Sequence, residues 1–250
     1  GLFHSIMVQK QKLSIIIPIY NEAATAAELL DRVLAVKIPS VSKEIIIIES
    51  NSTDETRKIV QKYAKIKGVT ILYQEKQLGK GNALKLGFQH ATGDIILIQD
   101  ADLEYKPEEY AKLLEPILSG KTSFVLGSRP LGKESWSIRK YAGYFFYARL
   151  LNLGGLFYTF LFDFLYFVWL TDPATMFKVF KRECISGMTF RSNYFDLDWE
   201  LVAKLVKRGY VPIEVPVSYA SRSVAEGKKI RFFRDGFLVF WAILRYRFFD

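Results

Sequence analysis

The stretch Ile95-Ile96-Leu97-Ile98-Gln99-Asp100-Ala101-Asp102 decides how the chain reads. Four consecutive apolar β-formers preceded by Gly93-Asp94 describe a strand buried on both faces, and it runs straight into two carboxylates at alternate positions. In an open, mostly parallel sheet, ligands collect at the carboxyl ends of the strands, so Asp100 and Asp102 stand where a ligand would be. Carboxylates so close raise each other's pKa unless a cation lies between them, and a hard divalent ion bridging substrate phosphates relieves that repulsion. The chemistry indicated is a phosphate-bearing substrate held through Mg or Mn. A pair of turn or helix-capping aspartates is the plainer alternative for an isolated Asp-x-Asp.

Outward from this stretch, strands and helices alternate. Residues 13–17 read as a strand stopped by Pro18, followed by the turn Tyr20-Asn21-Glu22 and an Ala- and Leu-rich helix through Val36. Residues 43–48 read as a second buried strand, ending in Glu49-Ser50-Asn51, where Ser52, Thr53 or Asp54 caps a helix running to about Lys67. Residues 69–73 make a third strand, and Gly79-Lys80-Gly81-Asn82 opens a helix ending near His90. After the opening stretch, Pro107 sits at the first turn of a helix reaching Leu118, and residues 123–126 form a fifth strand before Gly127-Ser128-Arg129. This order points to an α/β fold with a mostly parallel, doubly wound sheet whose polar tips gather along one edge.

Composition narrows the partners. The 250 residues, half of them hydrophobic, suffice for one large core or for a core with an appendage. A net charge of +9 favours an anionic partner: nucleic acid, a nucleotide, a phospholipid surface or a lipid phosphate. The single cysteine, Cys184, fits a reducing, cytoplasmic setting, and the two histidines, His4 and His90, are too scattered for His-based metal or triad chemistry. The N-terminal ten residues read as a ragged end rather than a signal peptide.

The second half changes character. Residues 141–170 are almost wholly aromatic or aliphatic, but their longest uncharged run, 150–162, is shorter than the roughly 20 residues needed to cross a bilayer. A buried or interfacial helical segment is expected there. Asp196-Leu197-Asp198-Trp199-Glu200 leads into an amphipathic helix stopped by Gly209, and residues 211–219 read as an extended strand. The tail interleaves Arg231, Arg234, Arg245 and Arg247 with aromatic residues, a pattern suited either to an anionic membrane surface or to packing on the sheet.

Several separated motifs then agree. Pro18-x-Tyr20-Asn21-Glu22, Ser52-Thr53-Asp54, Gly79-Lys80-Gly81-Asn82-Ala83-Leu84 and Thr92-Gly93-Asp94 leading to Asp100-Ala101-Asp102 resemble, in order, the family-2 nucleotide-sugar glycosyltransferases of GT-A fold. The later motifs resemble the dolichol- and polyprenyl-phosphate sugar transferase branch: Gly127-Ser128-Arg129, Arg139, Leu170-Thr171-Asp172-Pro173 with Lys178-Val179-Phe180, the Phe195-Asp196 to Glu200 segment, Tyr219-x-x-Arg222 and Glu226-Gly227-Lys228-Lys229-Ile230. The resemblance implies a Rossmann-like sheet with helices on both faces: residues 1–130 a nucleotide-sugar half, 131–230 an acceptor half, and 231–250 a basic aromatic tail beside the membrane.

The roles it implies are specific. Pro18, Tyr20, Glu22, Glu49, Lys80, Asp100 and Ala101 would bind the nucleotide. Glu49 takes the place of an aspartate, and the departure Glu49-Ser50 leaves the donor as either UDP- or GDP-linked. Asp100 and Asp102 would hold the metal, Asp102 most directly, with Glu104 as a third ligand. Arg129, Arg139, Arg222, Lys228 and Lys229 would bind the acceptor phosphate, and Asp102, Arg129, Asp198 and Glu200 are the catalytic candidates. A lipid phosphate needs no protein base, whereas a hydroxyl acceptor would need one of Asp172, Asp198 or Glu200; for Asp172, pairing with a local arginine is the equal alternative. The expectation is an inverting, metal-dependent transfer of one sugar to a polyprenyl or dolichyl phosphate at the cytoplasmic membrane face. A glycan or glycolipid hydroxyl is the alternative acceptor, and a non-catalytic nucleotide-binding or nucleic-acid-binding module ranks lower. The apolar surface at 157–169 suits either bilayer or a second copy of the chain.

Overall fold

Isoleucine-rich runs that must be buried on both faces form the middle of one sheet. The computed structural model describes residues 11–132, 145–222 and 232–250. Strand β1 (Gln11–Ile19) lies between β2 (Val41–Glu49) and β4 (Ile95–Ile98), parallel to both, with Ile15 in register with Ile45 and Leu97. With β3 (Val69–Tyr73), β5 (Phe124–Ser128), β6 (Lys178–Lys181) and β7 (Ile213–Pro216), the sheet has seven strands in the order β3-β2-β1-β4-β6-β5-β7. The described sheet builds outward from β1 in both directions, so the boundary between β1 and β4 is the topological switch point where an open α/β sheet opens a crevice.

Helices α1 (Ala26–Ala35), α2 (Thr56–Gln61), α3 (Lys80–His90) and α4 (Tyr110–Leu118) alternate with the first five strands. Gly87 lets α3 lie close on the sheet, since a Cβ there would come within 2.4 Å of the Ile16 side chain. Three further helices, α5 (Phe145–Tyr166), α6 (Asp196–Lys207) and α7 (Phe232–Phe248), pack together beside the sheet. The Tyr158 hydroxyl donates to the Gly236 carbonyl at 3.0 Å and the Tyr166 hydroxyl to that of Ile243 at 2.9 Å, while the Phe162 ring packs 5.7 Å from Trp199.

The α/β architecture matches the sequence-based expectation, with differences that have local causes. Pro18 does not stop β1. The pairing with β4 ends at Ile16, so beyond that point the proline's missing N–H breaks no ladder on that side. Helix α2 stops at Gln61 rather than near Lys67, the chain continuing as turns while Tyr63 donates its hydroxyl to Ala27 and Asp31. The expected strand at 123–126 is shifted to β5, and the extended run at 211–219 contains only the four-residue β7, with Tyr219 bridged to Tyr105. Strand β6 was not anticipated. It is only four residues long, has a lysine at each end, and runs antiparallel between β4 and β5, making the sheet mixed.

Candidate active site

Parallel pairing brings the carboxyl ends of β1, β2 and β4 to one edge of the sheet, and hydrogen bonds tie their turns together. The Asn21 N–H donates to Ser52 Oγ at 3.0 Å, Glu22 N–H to Thr56 Oγ1 at 2.8 Å and Thr53 N–H to Asn21 Oδ1 at 2.8 Å. Asp54 Oδ1 accepts the Thr56 N–H at 2.9 Å at the start of α2. The Thr25 hydroxyl donates to the Ala101 carbonyl at 2.7 Å, fastening the β1 turn to the β4 loop. Asn21 and Leu103 both have positive φ, 49° and 60°, so the chain turns sharply as it leaves each strand.

The edge opens into a cleft of about 930 Å³. Pro18, Tyr20, Glu22, Lys80, Asp100, Ala101, Asp102 and Glu104 line it together with Arg129, Asp198 and Arg222. Lys80 forms an ion pair with Asp100, and its ammonium lies 5.7 Å from the Phe195 ring centroid. Gly79, at φ 99°, brings the loop so near that a Cβ would sit 2.3 Å from the Asn193 carbonyl oxygen. Arg222 reaches across the cleft to both oxygens of Glu22 at 2.8 and 3.1 Å and to Asp102 Oδ2 at 3.2 Å. Burial, followed by the charges of Asp100 and Glu104, pushes the Asp102 carboxyl up to about 7 despite Arg222 and Lys80. A crowded set of hard oxygen donors with excess negative charge fits a divalent cation of the Mg or Mn kind.

Other expected site residues have different places. Both Glu104 carboxylate oxygens have hydrogen-bond partners: Oε2 accepts the Tyr219 hydroxyl and Oε1 the Arg222 backbone N–H, each at 2.8 Å. Glu104 thus holds the 219–222 segment over the cleft, and among the described residues no cluster of three His, Cys, Asp or Glu side chains is arranged for a metal. Arg129 lines the cleft, but its Nε and Nη2 each donate to Asp172 at 2.7 Å, the pair is buried, and its guanidinium lies 5.1 Å from the Tyr219 ring. Asp172 is therefore the partner of an arginine. Glu200 is not among the cleft-lining residues; it accepts the Arg191 and Ser192 N–H groups and pairs with Lys204 at 2.9 Å. Glu49 is also buried outside the lining, accepting the Ser52 N–H at 2.7 Å, and Ser50 takes the position on the cleft wall. Arg139, Lys228 and Lys229 lie outside the described residues.

Sequence reasoning left Lys178 as part of a motif and Arg234 as a tail cation. Lys178 is wholly buried, 3.5 Å from Asp198. Arg234 lines the cleft, stacks 4.9 Å from the Tyr194 ring centroid and pairs with Asp235 at 3.0 Å. No sequence spacing links these residues to Asp102, because only the fold brings β6 beside β4 and α7 to the cleft.

A family model described as glycosyl transferase family 2 matches residues 14–186. The chain belongs to this family. It is 29% identical over 226 residues to a dolichol-phosphate mannosyltransferase of Pyrococcus furiosus, covering 87% of this chain and 59% of the relative. It is 28% identical to an undecaprenyl-phosphate 4-deoxy-4-formamido-L-arabinose transferase of Enterobacter, covering 87% and 62%. The chain thus spans about three fifths of the length of these relatives. The glucosyl-3-phosphoglycerate synthase of Mycobacterium tuberculosis, solved with Mn²⁺, UDP and glucosyl-3-phosphoglycerate, superposes with a TM-score of 0.68 at 20% identity over 95% of this chain and 80% of its own. A Pyrobaculum calidifontis mannosyltransferase solved with GDP-mannose and Mn²⁺ superposes with a TM-score of 0.57 at 21% identity over 84% and 56%. These superpositions establish the GT-A fold for the family-2 chain. Among the described residues, no helix is long and apolar enough to cross a membrane.

Proposed function

We propose that this family-2 chain transfers one sugar from a UDP- or GDP-linked donor to a polyprenyl or dolichyl phosphate while resting on a membrane surface, with inversion at the anomeric carbon. One observation carries the reading: the same cleft joins a carboxylate-rich end at Asp100 and Asp102 to an apolar end formed by Leu150, Leu153 and Phe157 of α5 and Phe237 of α7. A nucleoside diphosphate suits the first end and a greasy acceptor suits the second.

Helix α5 supports the acceptor assignment through its sidedness. Its buried positions include Asn152 and Asp163, whereas Leu153, Leu156, Phe157, Phe160 and Phe164 are exposed at helical spacing. Phe167 and Trp169, just beyond the helix, are 82% and 91% exposed. An apolar face of this extent turned outward belongs against a bilayer. The names of the two curated relatives, which state dolichol phosphate and undecaprenyl phosphate, agree with this acceptor class.

Asp100 and Asp102 are the residues that would hold a divalent cation, which when bound offsets the charge developing on the departing diphosphate. Lys80 orients Asp100, Glu104 anchors the 219–222 segment, and Arg222 brings a guanidinium to the diphosphate end of the cleft. An ionised lipid phosphate attacks without a protein base. A hydroxyl acceptor is the second reading, favoured by Asp198, which alone among Asp172, Asp198 and Glu200 lines the cleft.

The test is nucleoside diphosphate release from a panel of UDP- and GDP-sugars with Mn²⁺ or Mg²⁺, with and without a short polyprenyl phosphate, alongside Asp102→Asn. Release that needs both cation and lipid phosphate, and that falls at least about 100-fold in the variant, is expected. Release that needs a glycan instead would move the assignment to the hydroxyl acceptor, and no turnover of any donor would overturn both.

A further inference from the structure

Lys178 places an amino group in the protein interior, where a lysine is rarely held. It begins β6, between β4 and β5, and has 0% exposure. Its ammonium donates to the Thr175 carbonyl and lies 3.5 Å from Asp198 Oδ1. Asp198 is only 6% exposed and lines the cleft, and its Oδ1 is shut off from solvent with no hydrogen-bond partner among the described residues.

A loose ion pair is a poor stabilising device in a protein interior. Desolvating two charges is costly, and apolar residues of similar volume usually serve stability as well or better. The position of the pair is more informative. The Lys80–Asp100 and Arg129–Asp172 pairs are near enough to act electrostatically on it, so charges of both signs cluster at the cleft. Asp198 would repel an anionic acceptor phosphate. A sugar hydroxyl, by contrast, is a donor that a carboxylate accepts.

We infer that Lys178 is a positioning residue that holds the Asp198 carboxylate in the cleft wall, where it accepts a hydrogen bond from a hydroxyl of the sugar being transferred. Lys178 does not touch the sugar and acts only through Asp198. The inference rests on the glycosyltransferase reading above and assigns a part of the cleft to the sugar rather than to the nucleotide or the acceptor.

The experiment compares the unaltered chain with Lys178→Met, Asp198→Asn and the double variant. Binding of UDP-glucose, GDP-mannose, UDP and GDP is measured by calorimetry with Mn²⁺, and donor KM and kcat are measured for the better of the two sugars. Each single variant is expected to weaken nucleotide-sugar binding about tenfold and to raise donor KM while leaving kcat within a few-fold. Affinity for the bare diphosphate stays within about twofold. The double variant loses no more than the worse single, because the lysine works through the aspartate. Additive losses, an unaffected Lys178→Met, or parallel loss of diphosphate binding would overturn the inference. Should Lys178→Met fail to fold with Asp198 left unpaired, the double variant decides: sugar binding as tight as in the unaltered chain overturns the inference. If the unaltered chain binds neither sugar nor diphosphate, the glycosyltransferase reading itself fails, whereas diphosphate binding with no sugar-dependent loss sinks this inference alone.

Discussion

Glu44 shows how one residue ties the end of the sheet remote from the cleft into a single unit. Burial alone would raise its carboxyl, but hydrogen bonds from Lys12, Ser14 and Thr92 outweigh that and bring it down to about 2. A carboxyl lower in the folded than in the unfolded chain contributes stability that is present above its ordinary value of 4.5 and is lost as pH falls through about 2. Glu44→Gln is therefore expected to cost about 1–3 kcal/mol at pH 7 and to flatten the fall in stability between those two values, read by urea unfolding at several pH values. Arg129 and Asp172 make a second prediction at this scale. Their pair is bidentate and buried, so Asp172→Ala leaves a guanidinium uncompensated and should cost about 3–5 kcal/mol, whereas replacing both partners by apolar residues costs less. An equal loss from the double replacement would contradict this account. Asp100 and Asp102 were legible from sequence because a strand ending in charge is a local pattern. The partners of Arg129 and Glu104 were not, since they lie 43 and 118 residues away in segments that only folding brings near.

At the scale of the element, glycines mark where backbones approach. Gly79 and Gly120 both have positive φ, at 99° and 75°, but a Cβ on Gly79 would meet the Asn193 carbonyl at 2.3 Å whereas one on Gly120 would meet nothing within 4 Å. Gly120→Ala is expected to cost only the backbone strain of about 1–2 kcal/mol. Gly79→Ala should cost more and also weaken nucleotide binding, because the loop must move away from the 193–195 segment and take Lys80 with it. Thermal unfolding and calorimetry on the two variants check this, and equal costs would contradict it. Helices α1, α3 and α4 were legible because each joins a periodic apolar face to a start or stop signal. Strand β6 was not: four residues carry too little periodicity, and Lys178 and Lys181 suggest an exposed segment when read alone.

Across the whole molecule, the outward apolar face of α5 and α7 and the +9 charge support the proposed docking on an anionic, greasy surface. Phe164, Trp169 and Trp241 are 67%, 91% and 47% exposed, and burying one large apolar side chain is worth about 1.5–3 kcal/mol. Phe164→Glu with Trp169→Glu is therefore expected to weaken flotation with phosphatidylglycerol-containing vesicles at least tenfold while leaving nucleoside diphosphate binding unchanged. Retained flotation of the double variant would rule this face out as the docking surface. High salt should weaken binding of the unaltered chain without abolishing it, since the apolar contribution is not screened.

The sequence alone determined the alternation of strands and helices, the edge at which polar tips gather, and the carboxylate pair at the end of β4, because these follow from periodicity, turn chemistry and near neighbours. Tertiary structure decided which charges are available to a ligand and which are already paired. It paired Arg129 with Asp172, turned Glu104 into an anchor for the 219–222 segment, buried Glu200 away from the cleft and set Lys178 beneath Asp198. The physical reason is that a charge acquires its role from whatever stands within a few ångströms once water is gone. Apart from those of Glu200, these neighbours come from positions 20 to 118 residues apart, beyond the reach of any local pattern.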